Sequence, residues 1–129
     1  MQSVRALIVD NSSVMRKIVE RCLRQAGLDL FEVKEANNGI DALDIAAKNP
    51  LDLILCEIYM PMMDGIEFLR RLKHIESAKH IPVVIVSSEG GESQVLHALS
   101  LGARGYIRKP FTTDQVKEHV LPLLAATAG

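Results

Sequence analysis

The sequence lacks the features that mark several large classes of protein. No apolar run approaches the ~20 residues that cross a bilayer, so we expect no membrane span. The 129 residues include 15 basic and 16 acidic side chains, for a formal net charge of −1. Proteins that neutralise phosphates carry a basic excess, so we expect no direct contact with nucleic acid. The opening segment is too short and too soon acidic for a signal peptide, and we expect a cytoplasmic protein.

Several motifs of catalysis and metal binding are also missing. There is no GxGxxG or GxxxxGK loop, which gives nucleotide binding through glycines no support. The four histidines show no metal-ligand spacing, and we expect them at the surface. The two cysteines, Cys22 and Cys56, lie in a helical and a strand pattern. We therefore interpret them as reduced core thiols and not as a disulfide or a metal site.

The chain instead alternates short apolar runs with segments of helical periodicity. Hydrophobic residues make up 48% of it, which suits one packed domain over residues 1–129. The runs predict strands at 4–9, 31–36, 51–56, 81–86 and 105–108. Helices follow each strand, with capping side chains at 11–13 and 112–114, terminal glycines at 27 and 102, and Pro122 expected to kink or end the last one. This alternation predicts an α/β fold with a doubly wound parallel sheet.

Polar side chains follow four of the five predicted strands. Asp10 and Asn11 come after the first, Glu57 after the third, Ser87 and Ser88 after the fourth, and Lys109 after the fifth. Ligand sites of such sheets lie beyond the carboxyl ends of the strands, so we expect these groups to meet in one shallow cleft. Carboxylate and amide oxygens suit Mg²⁺, and a lysine beside a hydroxyl suits phosphoryl oxygens.

Each of these residues also has an ordinary structural explanation. An aspartate after a strand is usually a helix N-cap, and a lysine after a strand can be a solvated loop residue. Their joint occurrence at four strand ends favours a functional site more strongly than any single member does.

Five segments and their spacing resemble bacterial response-regulator receiver domains over the whole chain. They are LIVDNSSVMRKIV, EANNGIDAL, MPMMDGIEFL, IPVVIVSSE and LGARGYIRKPF. The resemblance implies a flavodoxin-like, five-stranded parallel sheet of order 2-1-3-4-5. It also implies a cis peptide bond between Lys109 and Pro110, which proline alone adopts at low cost.

The resemblance implies a weakened or absent metal site. In the family an acid pair on the first strand, the acid after the third and a nearby backbone carbonyl hold Mg²⁺. These positions match Asp10, Asn11, Glu57 and the carbonyl of Tyr59. Asn11 stands where the second acid is expected, so one negative charge is missing. Tyr59 and Glu89 occupy positions that tune the access of water, but we interpret them as ordinary side chains of the cleft rim.

The resemblance also implies a phosphate site with an unusual acceptor. In the family an aspartate after the third strand takes a phosphoryl group from a histidine kinase or phosphotransfer protein. Glu57 occupies that position, with Ser87 and Lys109 as phosphate contacts and Tyr106 as the aromatic switch. Glutamate moves the carboxylate outward by ~1.5 Å. A misplacement of about 1 Å can cost ~100-fold in such a transfer.

Several outcomes remain open. Glu57 can act as a fixed, partial stand-in for phosphate, or the site can be inactive while the domain still serves as a docking module. The remaining explanations are residual phosphorylation at Glu57 and an engineered replacement of an aspartate. We expect a protein that is not an enzyme; a Mg²⁺-dependent phosphotransfer enzyme or phosphatase with Asp10 as nucleophile is disfavoured, since Ser12 stands two residues on.

The resemblance finally predicts a surface for a downstream target. It consists of the fourth helix, the fifth strand and the fifth helix, around Leu96, Leu99, Tyr106, Lys117 and Val120.

Overall fold

Strands and helices alternate throughout the part of the chain that the structure describes. The computed structural model describes residues 3–88 and 90–128, the last four of them as helical backbone. The strands are β1 (Ser3–Val9), β2 (Asp29–Ala36), β3 (Leu53–Cys56), β4 (Val83–Ser87) and β5 (Gly105–Arg108). The helices are α1 (Ser13–Gln25), α2 (Gly39–Lys48), α3 (Gly65–Leu72), α4 (Glu92–Ser100) and α5 (Thr113–Ala128).

The sheet has the predicted order, β2-β1-β3-β4-β5, and every pairing in it is parallel. The register aligns the last residues of β1 with those of β2 and β3, and the last residue of β4 with that of β5, whereas Cys56 of β3 pairs with Ile85, two residues before the end of β4. Val9 of β1 pairs with Cys56 of β3, and Ser87 of β4 pairs with Arg108 of β5. The residues that follow β1, β3 and β5 therefore emerge at one edge of the sheet.

Helices cover both faces of the sheet and form two core layers. One layer packs α1 and α5 on the sheet, and the other packs α2, α3 and α4. Successive strand residues alternate between the layers: Leu7 and Val9 enter one, and Ala6 and Ile8 the other. Strands covered on both faces read as continuous apolar runs, which is why the strand pattern in the sequence was clear.

Capping side chains fix where the helices begin and end. Ser12, Asn38 and Asp64 accept hydrogen bonds from the first-turn backbone of α1, α2 and α3 respectively. Gly27 and Gly102 follow α1 and α4 with φ of 100° and 104°, a left-handed conformation that glycine adopts without strain. Both glycine ends were predicted from the sequence.

Two predicted strands begin two residues too early. β3 begins at Leu53; at Asp52 before it, the side-chain carboxylate accepts the hydrogen bond of the Arg5 backbone N–H at 2.8 Å. β4 begins at Val83, directly after Pro82, which has no N–H to donate.

The sequence predicts that Pro122 either kinks or ends the last helix, and it does not end α5. The helix continues through Thr113–Ala128. Val116, Val120 and Leu124 are all buried against the sheet at a spacing of four residues. Since Leu124 lies beyond the proline, burial on both sides of it offsets the lost backbone hydrogen bond.

Both cysteines are free thiols, as predicted. Cys56 is fully buried, and burial together with the nearby charge of Glu57 raises the pKa of its thiol far above the ordinary value. Cys22 is half-buried at the border of the core. Three of the histidines are exposed as expected, whereas His119 is half-buried near Gly105.

We predict that Phe68→Ala lowers the free energy of unfolding by about 3–5 kcal/mol, because it leaves a cavity in the core layer under α3. Phe68 is 0% exposed. Phe31 on the edge strand β2 is 72% exposed and provides the matched control, for which Phe31→Ala changes stability by about 0.5 kcal/mol or less. Urea denaturation of the two variants checks this; equal losses would contradict the described packing.

Candidate functional site

One lysine joins two buried carboxylates at the carboxyl edge of the sheet. The Nζ of Lys109 lies 2.8 Å from Oδ2 of Asp10 and 2.7 Å from Oε1 of Glu57. Asp10 is 4% exposed and Glu57 6% exposed. The three residues follow β5, β1 and β3, so groups separated by 52 and 99 positions along the chain form one cluster. We call these three residues the acid–lysine cluster.

The backbone after β5 aims Lys109 at the carboxylates. The N–H of Lys109 donates to the carbonyl of Ser87 at 2.9 Å, which extends the β4–β5 ladder by one residue. The peptide bond between Lys109 and Pro110 is cis, as the resemblance implied.

Glu57 is held at both of its carboxylate oxygens. Its N–H donates to the carbonyl of Val9 at 2.9 Å, so its backbone continues the β1–β3 ladder. While Oε1 accepts from Lys109, Oε2 accepts from the backbone N–H groups of Ile58 at 2.6 Å and Tyr59 at 3.3 Å. Backbone N–H groups and an ammonium thus surround one carboxylate, as they would surround a bound anion.

Gly65 is required for the path of the chain behind Glu57. A side chain at Gly65 would place its Cβ 2.2 Å from the Glu57 carbonyl oxygen, which is impossible. The N–H of Gly65 donates to the carbonyl of Ile58 at 2.8 Å. The start of α3 therefore packs directly on the backbone that carries Glu57.

Asp10 is also hydrogen-bonded at both oxygens. Oδ1 accepts from the N–H of Ser12 at 2.9 Å, and Oδ2 accepts from Lys109. Ser12, not Asp10, is the N-cap of α1, so the ordinary explanation of Asp10 as a helix cap does not hold. Arg16 donates to the Asp10 carbonyl at 2.6 Å and to Glu35 at 2.8 Å, which ties the turn after β1 to β2.

The two carboxylates keep Lys109 charged in spite of its burial. Burial alone lowers the pKa of the lysine, because it disfavours the ammonium. Hydrogen bonds from Lys109 to Asp10 and Glu57, together with their charges, outweigh that effect and hold the pKa above the ordinary value. The ammonium in turn compensates part of the cost of burying two carboxylates.

The other predicted site residues lie around this cluster. Ser87 is fully buried at the end of β4, and Tyr106 is half-buried on β5. Both make interactions within the protein. Asn11 is exposed, and the Tyr59 side chain lies on the surface, in keeping with a position on the cleft rim. Glu89 lies outside the described residues.

The acid side chains do not fit a Mg²⁺ ion in the observed arrangement. Each of the four oxygens of Asp10 and Glu57 accepts a hydrogen bond from the protein, and the lysine lies where the two carboxylates face each other. Across the residues described, no group of three or more His, Cys, Asp or Glu side chains that could hold a metal ion is found. A cation would first have to displace the ammonium of Lys109.

One residue of the predicted docking surface is misplaced. Val120 is 0% exposed, since it belongs to the buried stripe of α5 that packs on the sheet, so its assignment to a binding surface is wrong. Leu96 and Leu99 on α4 are exposed, and so is Lys117 on α5. These three remain available for contact with a partner.

Sequence reasoning missed Arg16, Gly65 and the backbone N–H groups of Ile58 and Tyr59. Arg16 lies one turn into α1, where an arginine usually faces solvent. The residue type therefore did not indicate its contact with the Asp10 carbonyl. Gly65 follows Asp64 in a pair typical of turns, and that pair alone does not reveal a close approach to Glu57.

Known proteins place the chain in a family. Residues 6–121 match the family described as the response regulator receiver domain. The chain therefore belongs to the response regulator receiver domains, which act in two-component signalling. Receiver domains are generally signalling proteins and not enzymes; they contact histidine kinases and downstream targets, and they typically bind Mg²⁺.

Particular relatives are chemotaxis proteins. The chain is 37% identical over 117 residues to chemotaxis protein CheY-3 of Vibrio cholerae, covering 91% of this chain and 88% of that protein. It is 36% identical over 126 residues to chemotaxis protein CheY of Pseudomonas aeruginosa, covering 98% and 100%. The solved structure of CheY4 of Vibrio cholerae matches with a TM-score of 0.83 at 28% identity, covering 95% and 100%. The fold is thus CheY-like, and none of the helices described here could span a membrane.

We predict that the stability contributed by Lys109 disappears at strongly alkaline pH. Because its folded pKa lies above the value of about 10.4 for an unfolded chain, the contribution is complete below that pH and is lost as the pH rises through the folded pKa. Near pH 8, Lys109→Met should lower the free energy of unfolding by about 1.5–3 kcal/mol. Urea denaturation from pH 8 up to the highest pH at which the parent protein is folded measures the difference in free energy of unfolding between the variant and the parent.

The control for this experiment is Lys117→Met, which removes an exposed lysine of α5 and should change stability by about 0.5 kcal/mol or less at every pH. A deficit of Lys109→Met that stays constant as the pH rises would show that the ammonium does not stabilise the cluster.

Proposed function

We propose that residues 1–129 form one cytoplasmic receiver domain that works in chemotaxis-type two-component signalling through protein–protein contact. The family match over residues 6–121 and the chemotaxis relatives support this assignment. Its upstream partner would be a histidine kinase or a phosphotransfer protein, and its downstream partner a protein that docks on α4, β5 and α5. Leu96, Leu99, Tyr106 and Lys117 are the candidates for that contact.

We further propose that Glu57 is a built-in, partial stand-in for the phosphate of a phosphorylated receiver. The observation that carries this proposal is the 2.7 Å contact between Glu57 and Lys109, with the other Glu57 oxygen on two backbone N–H groups. The extra methylene of glutamate brings a negative oxygen to the position where, in the family, the lysine would hold a phosphoryl oxygen.

The stand-in is partial because its charge is smaller. A carboxylate carries about −1, whereas a phosphoryl group carries ≈ −1.5 to −2. The shift between two conformations depends on how much more strongly the charge interacts with one than with the other. A smaller charge makes this difference in interaction free energy smaller, so it shifts the populations less. We expect a domain that samples its active-like state without a phosphorylation signal and does not reach it completely.

The same arrangement argues against phosphoryl transfer to Glu57. Lys109 occupies the space between the two acids, and the Glu57 carboxylate would have to leave the lysine and the two backbone N–H groups to approach a phosphoryl donor. The exposed neutral Asn11 supplies no second acid for Mg²⁺, so we expect weakened metal binding. Asp10 is equally engaged, which disfavours its use as the nucleophile of a phosphatase.

We predict that the protein gains no phosphoryl group from acetyl phosphate and Mg²⁺. The double variant Asn11→Asp with Glu57→Asp should gain one phosphoryl group per chain, because it supplies the second acid and shortens the acceptor by one methylene. Intact-mass spectrometry measures the gain.

Asn11→Asp alone is the matched control for that experiment. It should bind Mg²⁺ roughly tenfold more tightly than the parent and remain unphosphorylated, since it keeps Glu57. A stoichiometric phosphoryl gain by the parent protein, lost in Glu57→Gln, would refute the proposal.

We predict that the charge of Glu57 shifts the docking surface part of the way to its phosphorylated state. In heteronuclear NMR spectra, the amide signals of Leu96, Leu99 and Tyr106 in the parent should lie between those of Glu57→Gln and those of the phosphorylated double variant. If the parent and Glu57→Gln give the same signals at these positions, Glu57 does not act as a switch, and the domain is a constitutive docking module.

A further inference from the structure

A groove opens at the end of the sheet opposite to the acid–lysine cluster. Its volume is about 220 Å³. Val83, the first residue of β4, lines it, and so does Arg104, which directly precedes β5. Since β4 spans five residues, the groove lies at least ~13 Å along the strand from Ser87. We call this feature the amino-edge groove.

The floor of the amino-edge groove is apolar. It consists of Leu69 and Leu72 from α3, Ile81 from the segment before β4, and Val83, the first residue of β4. All four are buried members of one core layer. Each of them is at most 5% exposed, so the floor offers only a small apolar patch, enough for contact with a single side chain.

Three cations from three different segments form the rim. Lys73 is the C-cap residue of α3, Lys79 lies in the connection to β4, and Arg104 lies between α4 and β5. No acid is found in the lining, as far as the chain is described. Lys79 has a neighbouring acid outside the lining, since its Nζ is 3.0 Å from the exposed Glu76.

Gly102 allows one of these cations to lie along the rim. A Cβ at Gly102 would be 3.2 Å from Cε of Lys73, so the lysine stem passes directly over the glycine. Cations near the carboxyl ends of α3 and α4 also suit the negative ends of the helix dipoles. The helix dipoles therefore explain why cations at these positions stabilise the fold. They do not explain why the cations surround an apolar floor.

We propose that the amino-edge groove binds an acidic peptide segment of a partner protein, with one apolar side chain on the floor and flanking carboxylates on the rim. The volume is below the ~300–1,000 Å³ typical of complete small-molecule sites, which suits a single anchoring side chain. The charge of the rim is complementary to an acidic segment and unfavourable to a basic one. The groove adjoins the docking surface through the connection between α4 and β5, but it contains none of the residues named for that surface and none of the acid–lysine cluster.

Fluorescence anisotropy with labelled hexapeptides tests the proposal. The probe EDLFDE, whose Leu or Phe supplies the one apolar side chain for the floor, should bind at low salt, whereas KKLFKK, with reversed charge, and EDSSDE, without either apolar side chain, should each bind at least tenfold more weakly. The variant Lys73→Glu with Arg104→Glu should weaken EDLFDE at least tenfold. The control variant Arg21→Glu with Arg24→Glu makes the same change of net charge at exposed positions of α1, on the other face of the sheet, and should change affinity by twofold or less.

Thermal denaturation establishes that each variant is folded, and the neutral variant Lys73→Gln with Arg104→Gln replaces the charge-reversed one if that variant is not. The proposal is overturned if EDLFDE does not bind, if EDSSDE binds equally well, or if the groove and α1 variants weaken binding to the same extent.

Discussion

The ion-paired lysine at the carboxyl edge of the sheet is the interaction on which the site depends. Asp10 and Glu57 are both almost completely buried, and a buried carboxylate without a partner is costly. Lys109 supplies one positive charge to both, while backbone N–H groups of Ser12, Ile58 and Tyr59 satisfy the remaining oxygens. Removal of the lysine would leave two like charges facing each other, so the cluster is stable only as a unit.

The parallel sheet makes this unit possible. Its register brings the last residues of β1 and β3 level with each other, and β5 reaches the same edge through β4. Backbone hydrogen bonds from Glu57 to Val9 and from Lys109 to Ser87 continue the ladders just past the strands. The side chains that follow therefore have fixed origins, and their lengths decide what they reach.

Side-chain length decides that the carboxylate of Glu57 reaches Lys109. With glutamate after β3, the carboxylate lies between an ammonium and two backbone N–H groups, an environment suited to an anion. The exposed Asn11 contributes no charge to the cluster. The two ends of the sheet differ in charge. The carboxyl edge holds two acids and one lysine, and the amino edge presents cations around an apolar floor.

The sequence by itself determined the element order, the capping segment and terminal glycine of α1 and the residues that follow each strand, because these depend on local periodicity and on backbone preferences of residues such as Ser12 and Gly27. Tertiary structure alone decided which carboxylate oxygen meets Lys109, how Arg16 fastens the turn after β1, and that Val120 is buried while Leu99 is not. It also decided that α5 passes through Pro122 and that β3 begins at Leu53. These outcomes rest on contacts between residues distant along the chain, whose energies exceed the local preferences that a sequence pattern records.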